Sequence, residues 1–246
     1  MVSPRGTLAL VLGLLLVGSS GCAAVGGTPV PADTVVRETV DPSFVFGTDS
    51  SSVDQLAATA VTDVRHYWER TMPRVFGREW TDLDGGFFSV DTADPANSSP
   101  PCADEVTELS GNAYYCAAVD AVVWDRAALL PVLRAHYGQS AVVLVLAHEL
   151  GHAVEQRLDG SLPTRPDPVF VETTADCFAG SYFRWVVDGG SARLAMDGED
   201  VEDALRALRA FADLPEQHGS DPHGNARDRT GAFRRGYTAG PGECVS

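Results

Sequence analysis

The residues whose types and spacing most clearly suggest a chemical role are His148, Glu149 and His152, in the run His-Glu-Leu-Gly-His. Residues four apart lie on the same face of an α-helix, so the two imidazoles would point the same way, with Glu149 one position around the helix. Two imidazole nitrogens provide half of a tetrahedral zinc shell, and a neighbouring carboxylate can take a proton from a water that the metal activates. This is the HExxH metallopeptidase pattern, and it predicts Zn²⁺ binding by the histidines with Glu149 as general base.

The residues around this pattern indicate a buried helix. The segment 141–147 is apolar without interruption, which is typical of a helix covered on nearly all sides. Histidines and a glutamate inside such a helix are costly to desolvate unless something pairs with them, and a metal ion is a suitable partner. The alternative is two core histidines whose rings are satisfied by hydrogen bonds. We expect the helix to begin near Gln139 or Ser140, after a helix over 127–137 that Gly138 ends.

A catalytic zinc also needs a third protein ligand and an open position. Glu155 and Leu158 stand where the metzincin pattern requires glycine and histidine, so the third ligand must come from another element. Glu172 and Asp176 are four apart and would share one face of a second helix. We expect Glu172 to complete the zinc shell, and Asp176 to accept the far ring N–H of His148 and so fix its tautomer.

Other interpretations of these acidic residues are open. Glu172 and Asp176 could instead form a solvated helix face, although the apolar residues beside them argue against it. Glu155 and Asp159 are competing third ligands. Both lie on the active helix or at its end, from where reaching back to a metal held by the two histidines is geometrically poor.

The composition favours a single acidic domain. The chain has 246 residues with 44% hydrophobic content, which is enough to bury one substantial core. Its formal charge is -16 and all of its basic residues are arginine. A surface of this kind repels nucleic acid, so no nucleic-acid partner is expected.

The N-terminal residues predict export. An apolar run over 8–17 is followed by small residues, which is typical of a signal peptide, here 1–22. The run Ser-Ser-Gly-Cys ending at Cys22 looks like a bacterial lipobox, so we expect a lipid anchor on the outer face of the cell membrane, with free secretion as the alternative. Residues 23–50 are rich in glycine, proline, serine and threonine and predict a flexible tether. The domain is then expected over 51–246.

Helical spacing predicts two scaffold helices on either side of the motifs. The first begins at a cap on Ser51 or Ser52, continues to about Thr71 and is ended by Pro73. The second covers 199–213. Its inward-facing residues are expected to be Ala204, Leu205, Leu208, Phe211 and Ala212.

Strands are predicted between these helices. A strand is expected over 85–90, and 114–125 forms one or two strands because it is rich in β-branched and aromatic residues. In zinc peptidases generally, an edge strand just before the active helix pairs with an extended substrate, and we assign that role to Val119–Trp124. Cys102 and Cys116 should form a disulfide in an exported chain.

Three ordered motifs carry a family resemblance. HELGH at 148–152, ETTADCFAG at 172–180 and DPHGNARDRTGAFRRGYTAGPGEC at 221–244 together resemble the bacterial neutral zinc metallopeptidases. That family shows an HExGH helix, an ExxADCxAG helix and a final HGxxxxR segment closed by a cysteine. The resemblance runs from about Cys102 to Cys244.

The resemblance implies a zincin-like α+β metallopeptidase domain, mainly helical, with a small sheet beside the active-site helix. His223 matches the family's His-Gly motif and would stabilise the oxyanion as a second catalytic residue, unless it is a structural turn histidine. Arg229 matches the family's arginine and would hold either a substrate carboxylate or a structural acid. Cys177 and Cys244 would pair with each other or stay free. A zinc-thiolate role for Cys177 is less favourable, because it points away from Asp176 on the helix.

These features predict an exported zinc peptidase that cleaves peptide or protein substrates at the cell envelope. A non-catalytic, zinc-stabilised binding module is one alternative, but a structural site has no need of the base Glu149 and normally fills all four metal positions. A zinc amidase acting on cell-wall peptides is another. It would share the chemistry and differ only in the cleft.

Overall fold

A computed structural model of the chain describes residues 1, 35–94, 96, 98–158, 162, 167–212 and 224–245. The chain divides between residues 30 and 31, and every element below belongs to the second unit, 31–246. The predictions for the export signal with Cys22, for the tether over 23–34 and for His223 concern residues outside this description.

The described elements mix helices with two small sheets, as the sequence predicts. The helices are α1 (Ser52–Phe76), α2 (Leu129–Tyr137), α3 (Gln139–Arg157), α4 (Pro168–Val187), α5 (Gly198–Ala210) and α6 (Ala226–Ala239). The strands are β1 (Val35–Val36), β2 (Gly86–Val90), β3 (Ala113–Cys116), β4 (Ala121–Asp125) and β5 (Leu194–Ala195). None of these helices is long and apolar enough to cross a bilayer.

Helix α3 lies in the core and begins where the sequence predicts. Gly138 ends α2 with a positive φ of 78°, and Gln139 starts α3 directly after it. Residues 141–147 are buried apart from the half-buried Val145. The helix packs against α1, α2, α4 and α5, which accounts for an apolar surface on nearly every side.

Helices α4 and α6 approach each other closely through two glycines. A Cβ on Gly180 would lie 2.0 Å from the Phe233 carbonyl oxygen, and one on Gly236 would lie 1.8 Å from the Cys177 carbonyl oxygen. The same face carries the disulfide from Cys177 to Cys244, with the Cα atoms 5.6 Å apart. Cys177 is therefore a disulfide partner, and the zinc-thiolate alternative is wrong.

The three-stranded sheet has the order β2-β4-β3, with β4 parallel to β2 and antiparallel to β3. The prediction that Val119–Trp124 forms an edge strand is therefore wrong. All five residues of β4 are buried, which means that both faces of this central strand are covered. The edge strands are β2 and β3, and the predicted disulfide from Cys102 ends on the last residue of β3, Cys116.

Helix α1 continues past Pro73 to Phe76, so the prediction that Pro73 ends it is wrong. A proline inside a helix removes one backbone hydrogen bond and costs about 3 kcal/mol. Packing on both sides offsets this cost, because Met72 is fully buried and the Phe76 ring contacts Phe178 edge-on. Gly77 ends the helix with a φ of 66°.

The segment over 35–50 is part of the folded domain, which corrects the predicted tether up to residue 50. β1 pairs with β5, and the Val40 N–H donates to the Thr59 hydroxyl on α1. Val45 is buried, and Phe46 forms a β-bridge with Phe88 of β2. These contacts are long-range pairings without helical spacing, which is why the composition alone indicated a tether.

Helix α5 is capped by Asp197, which shares a capping box with Asp200. Ala204, Leu205 and Leu208 are buried, as predicted. Phe211 is 41% exposed, so its predicted inward position is wrong. It lies just past the last helical residue, where the helical period no longer directs its side chain.

The disulfide between Cys177 and Cys244 should be the more stabilising of the two. Replacing both cysteines by alanine should lower the free energy of unfolding by about 4 kcal/mol, from the entropy of the closed loop, since the sequence separation is 67. The other disulfide, between Cys102 and Cys116, closes a separation of 14. Replacing both of these cysteines by alanine should lower the free energy of unfolding by about 3 kcal/mol. Urea unfolding of both variants measures this, and a larger loss for the shorter loop would contradict the explanation.

Candidate metal centre

The three predicted ligands come together from two helices. His148 and His152 lie one turn apart on α3, and Glu172 lies in the second turn of α4. The His148 Nε2 atom is 3.4 Å from Glu172 Oε2, and His152 Nε2 is 3.6 Å from Glu172 Oε1. One nitrogen or oxygen from each residue lies within 4.8 Å of the others, so this group can hold a metal ion.

The residues present fit a metal ion on two grounds. Ligands about 2.0–2.1 Å from a tetrahedral zinc are about 3.4 Å apart, close to the nitrogen–oxygen separations seen here. In addition, Glu172 Oε2 is buried and makes no hydrogen bond to any described residue. A buried carboxylate oxygen that has only longer ion-pair contacts and no hydrogen bond is costly, and a cation between it and the imidazoles would remove that cost.

The outer ring nitrogen of His148 is held as predicted. His148 Nδ1 lies 2.9 Å from Asp176 Oδ1, so the ring donates to the carboxylate and leaves Nε2 for a metal. Arg229 donates to the same carboxylate from Nε at 2.8 Å and from Nη2 at 2.9 Å. Arg229 Nη2 also lies 3.8 Å from Glu172 Oε2. Of the two roles predicted for Arg229, these contacts favour that of holding structural acids.

The outer ring nitrogen of His152 is held by Glu155. The Nδ1 atom lies 2.9 Å from Glu155 Oε2, and the Glu155 side chain is only 10% exposed. From the sequence, Glu155 is expected only as a competing metal ligand, and its contact with the His152 ring is not predicted. Its spacing of three residues from His152, on one helix face, was the available signal.

The electrostatics of the group favour a positive charge between the histidines and Glu172. Burial lowers the pKa of His148, but the carboxylates of Asp176 and Glu172 outweigh it and raise the pKa to about 10. Burial raises the pKa of Glu172, and the two histidines with Arg229 more than reverse this, holding the pKa at about 2. The buried carboxylates that raise the pKa of His148 would also attract a divalent cation.

Gly151 sets the distance between the two helices that carry the ligands. A Cβ at this position would lie 2.9 Å from the Ala175 Cα atom and 3.0 Å from its carbonyl oxygen. The glycine between His148 and His152 therefore lets α4 approach α3 at the level of the metal ligands. Glu172 lies one turn before Ala175, so its position depends on this contact.

Glu149, next to His148 on α3, is also buried. It is 7% exposed. Burial lowers the pKa of Arg229, but the negative charges of Asp176, Glu172 and Glu149 together raise it. His223, the other predicted catalytic residue, is outside the described part of the chain.

Comparison of the chain with protein-family models, with curated proteins and with solved structures gives no match. The resemblance to the bacterial neutral zinc metallopeptidases therefore stays a prediction. We base the function on the geometry of the metal group and its surroundings.

Gly151→Ala should weaken zinc binding by on the order of tenfold, comparable with losing a hydrogen-bond partner of a ligand. The added methyl would push α4 away from α3 and move Glu172 off the two histidines. Competition with a chromophoric chelator measures the change. Gly231→Ala on α6 is the matched control, because no atom lies within 4 Å of its added Cβ. Equal zinc affinity in both variants would rule out the proposed role of the helix contact.

Proposed function

We propose that this protein is an exported zinc-dependent peptidase with a zincin-like catalytic domain. The observation that carries the proposal is the arrangement of His148, His152 and Glu172. Both Nε2 atoms face one carboxylate, and each Nδ1 atom is held by a separate carboxylate. The two disulfides fit an oxidising compartment, and a lipid anchor at Cys22 is the localisation that we propose.

Zinc is the metal that this set of donors favours. Two imidazoles and one carboxylate are the protein ligands of thermolysin-type catalytic zinc sites, whereas calcium and magnesium prefer all-oxygen shells. The metal-binding group among the described residues has three members. A three-ligand site has a position open for water or substrate, which separates a catalytic zinc site from a structural one.

Glu149 is the proton carrier in the mechanism that we propose. When bound, Zn²⁺ supplies Lewis acidity that acidifies water and polarises a carbonyl group. The Glu149 carboxylate accepts a proton as water attacks the scissile carbonyl carbon. It then delivers that proton to the nitrogen of the departing amine. Asp176 and Arg229 keep the His148 ring in place throughout, because their contacts are buried.

Among the described strands none pairs with the outer edge of β3, which supports binding of an extended peptide there. The Asp125 N–H donates to the Asn112 carbonyl at 3.0 Å. Because hydrogen-bonded pairs alternate along an antiparallel ladder, the N–H and C=O groups of Ala113 and Tyr115 point away from β4. A substrate strand could pair with these groups by β-augmentation. The Tyr115 hydroxyl also bonds to Gln156 of α3, which ties this edge to the metal-bearing helix.

Glu149→Gln should retain zinc but lose peptide hydrolysis by at least about a hundredfold, since general acid–base catalysis contributes about 10²–10⁴. Mass spectrometry of a peptide library, together with zinc analysis of the same samples, gives both quantities. Glu202→Gln, an exposed change on α5, should alter neither. Full hydrolysis by the Glu149 variant would remove this residue from the mechanism.

The same library separates the proposed peptidase from its alternatives. Chelator-sensitive cleavage of ordinary peptides supports the peptidase. Cleavage confined to cell-wall peptides would favour the amidase. A zinc-replete chain that cleaves neither would favour the non-catalytic binding module.

Backbone pairing with β3 predicts an alternating sensitivity along the substrate. Replacing one amide of a cleaved peptide by an ester removes a single N–H donor, and at a position facing β3 this should lower kcat/KM about three- to tenfold. The same replacement one residue further along should have little effect, because that N–H faces away from the strand. Steady-state kinetics on a series of ester-containing peptides measures this. A uniform response along the peptide would contradict strand pairing.

A further inference from the structure

We propose that Glu155 is a positioning residue that orients His152 and strengthens it as a metal ligand. This inference rests on the proposed zinc site but not on peptidase activity. It assigns to Glu155 a role through another side chain, instead of the direct ligation considered from the sequence.

The first observation is the direction of the contact. Glu155 and His152 are three apart on α3, and Glu155 Oε2 lies 2.9 Å from Nδ1. The opposite ring nitrogen, Nε2, is 3.6 Å from Glu172 Oε1. Glu155 therefore binds the far side of the ring and leaves the metal-facing nitrogen unprotonated, which is the tautomer that a ligand requires.

The second observation is that Glu155 is a buried acid. Its side chain is 10% exposed, and its Oε1 atom is buried without a hydrogen-bond partner among the described residues. A surface glutamate near the end of a helix would keep both oxygens in water. Burial of a half-satisfied carboxylate is unfavourable, and a cation on the other side of His152 would compensate for it.

The two histidines differ in how their acids are balanced. Asp176 accepts two hydrogen bonds from Arg229. The positive guanidinium partly neutralises this carboxylate and so reduces its electrostatic effect on the His148 ring. The described contact of Glu155 is with His152 itself. Its negative charge therefore acts on that ring and should strengthen His152 as an electron donor to the metal.

A two-step substitution series separates charge from orientation. Glu155→Gln keeps an oxygen that can accept from Nδ1 but loses the charge, so zinc affinity should fall about three- to tenfold. Glu155→Ala loses both, and the affinity should fall about 10- to 100-fold. The full chain is titrated with zinc against a chromophoric chelator. The near-isosteric Gln variant keeps the test informative if the Ala variant does not fold.

Cobalt(II) spectroscopy gives a second measurement that a merely structural role would not change. Loss of the Glu155 charge should shift the visible absorption bands of the Co²⁺-loaded chain while their intensity stays that of the same coordination number. Glu202→Gln and Glu202→Ala serve as controls on an exposed glutamate and should match the unchanged chain.

Three results would decide against the inference, and they can be told apart. Unchanged zinc affinity and spectrum in both Glu155 variants would overturn the positioning role. A change in band intensity that indicates a lost ligand would show direct ligation and would also overturn it. Failure of the unchanged chain to bind one equivalent of zinc would instead overturn the proposed metal site, and the Glu155 role with it.

Discussion

The close approach of α3 and α4 is the constraint on which the metal group depends. Three consecutive residues of α4 hold this helix against its neighbours. Ala175 packs on Gly151 of α3, Asp176 binds Arg229 of α6, and Cys177 is bonded to Cys244. Glu172 lies one turn before these three contacts, on a helix that is held on several sides. The position of the helix backbone therefore already directs its carboxylate to the histidines.

A second constraint is the negative charge that this packing buries. Glu149 and Asp176 are almost fully buried, and the side chains of Glu155 and Glu172 are 10% and 17% exposed. Arg229 offsets one of these charges, and a divalent cation would offset two more. Metal binding and folding should therefore be coupled, because a bound cation would offset most of the buried negative charge that Arg229 leaves.

The sequence predicted those parts of the site that follow from local spacing. His148, His152, Glu172 and Asp176 were found because a spacing of four places side chains on one helix face. Glu155 and His152 are three residues apart, and their contact is not predicted. The sequence suggests Glu155 as a ligand of the metal and not as a hydrogen-bond partner of the His152 ring. The partner of Arg229 was left open, since it depends on the crossing of α4 and α6, which local patterns do not specify.

The errors in the fold have the same origin. The stretch over 114–125 is correctly predicted to form strands, but which strand lies at the edge depends on the pairing of β4 with β2, whose residues lie 35 positions earlier than their partners. Pro73 was expected to stop α1 because local chemistry disfavours proline in a helix. Tertiary packing of Met72 and Phe76 overrides that preference. Residues 35–50 show no helical periodicity in their hydrophobic residues, which predicts a tether, although they pair with distant segments.

The C-terminal end of α3 links the metal group to the sheet edge. Asp120, in the turn between β3 and β4, has a φ of 55°, an uncommon value for a residue other than glycine. Its carboxylate accepts from Arg157 of α3 at 3.0 Å and from the Tyr115 hydroxyl at 2.6 Å, which offsets the strain of that turn. The helix that carries both histidines thus also fixes the edge strand. A peptide aligned along β3 would therefore be held in a constant relation to the metal ligands, because one rigid helix positions both.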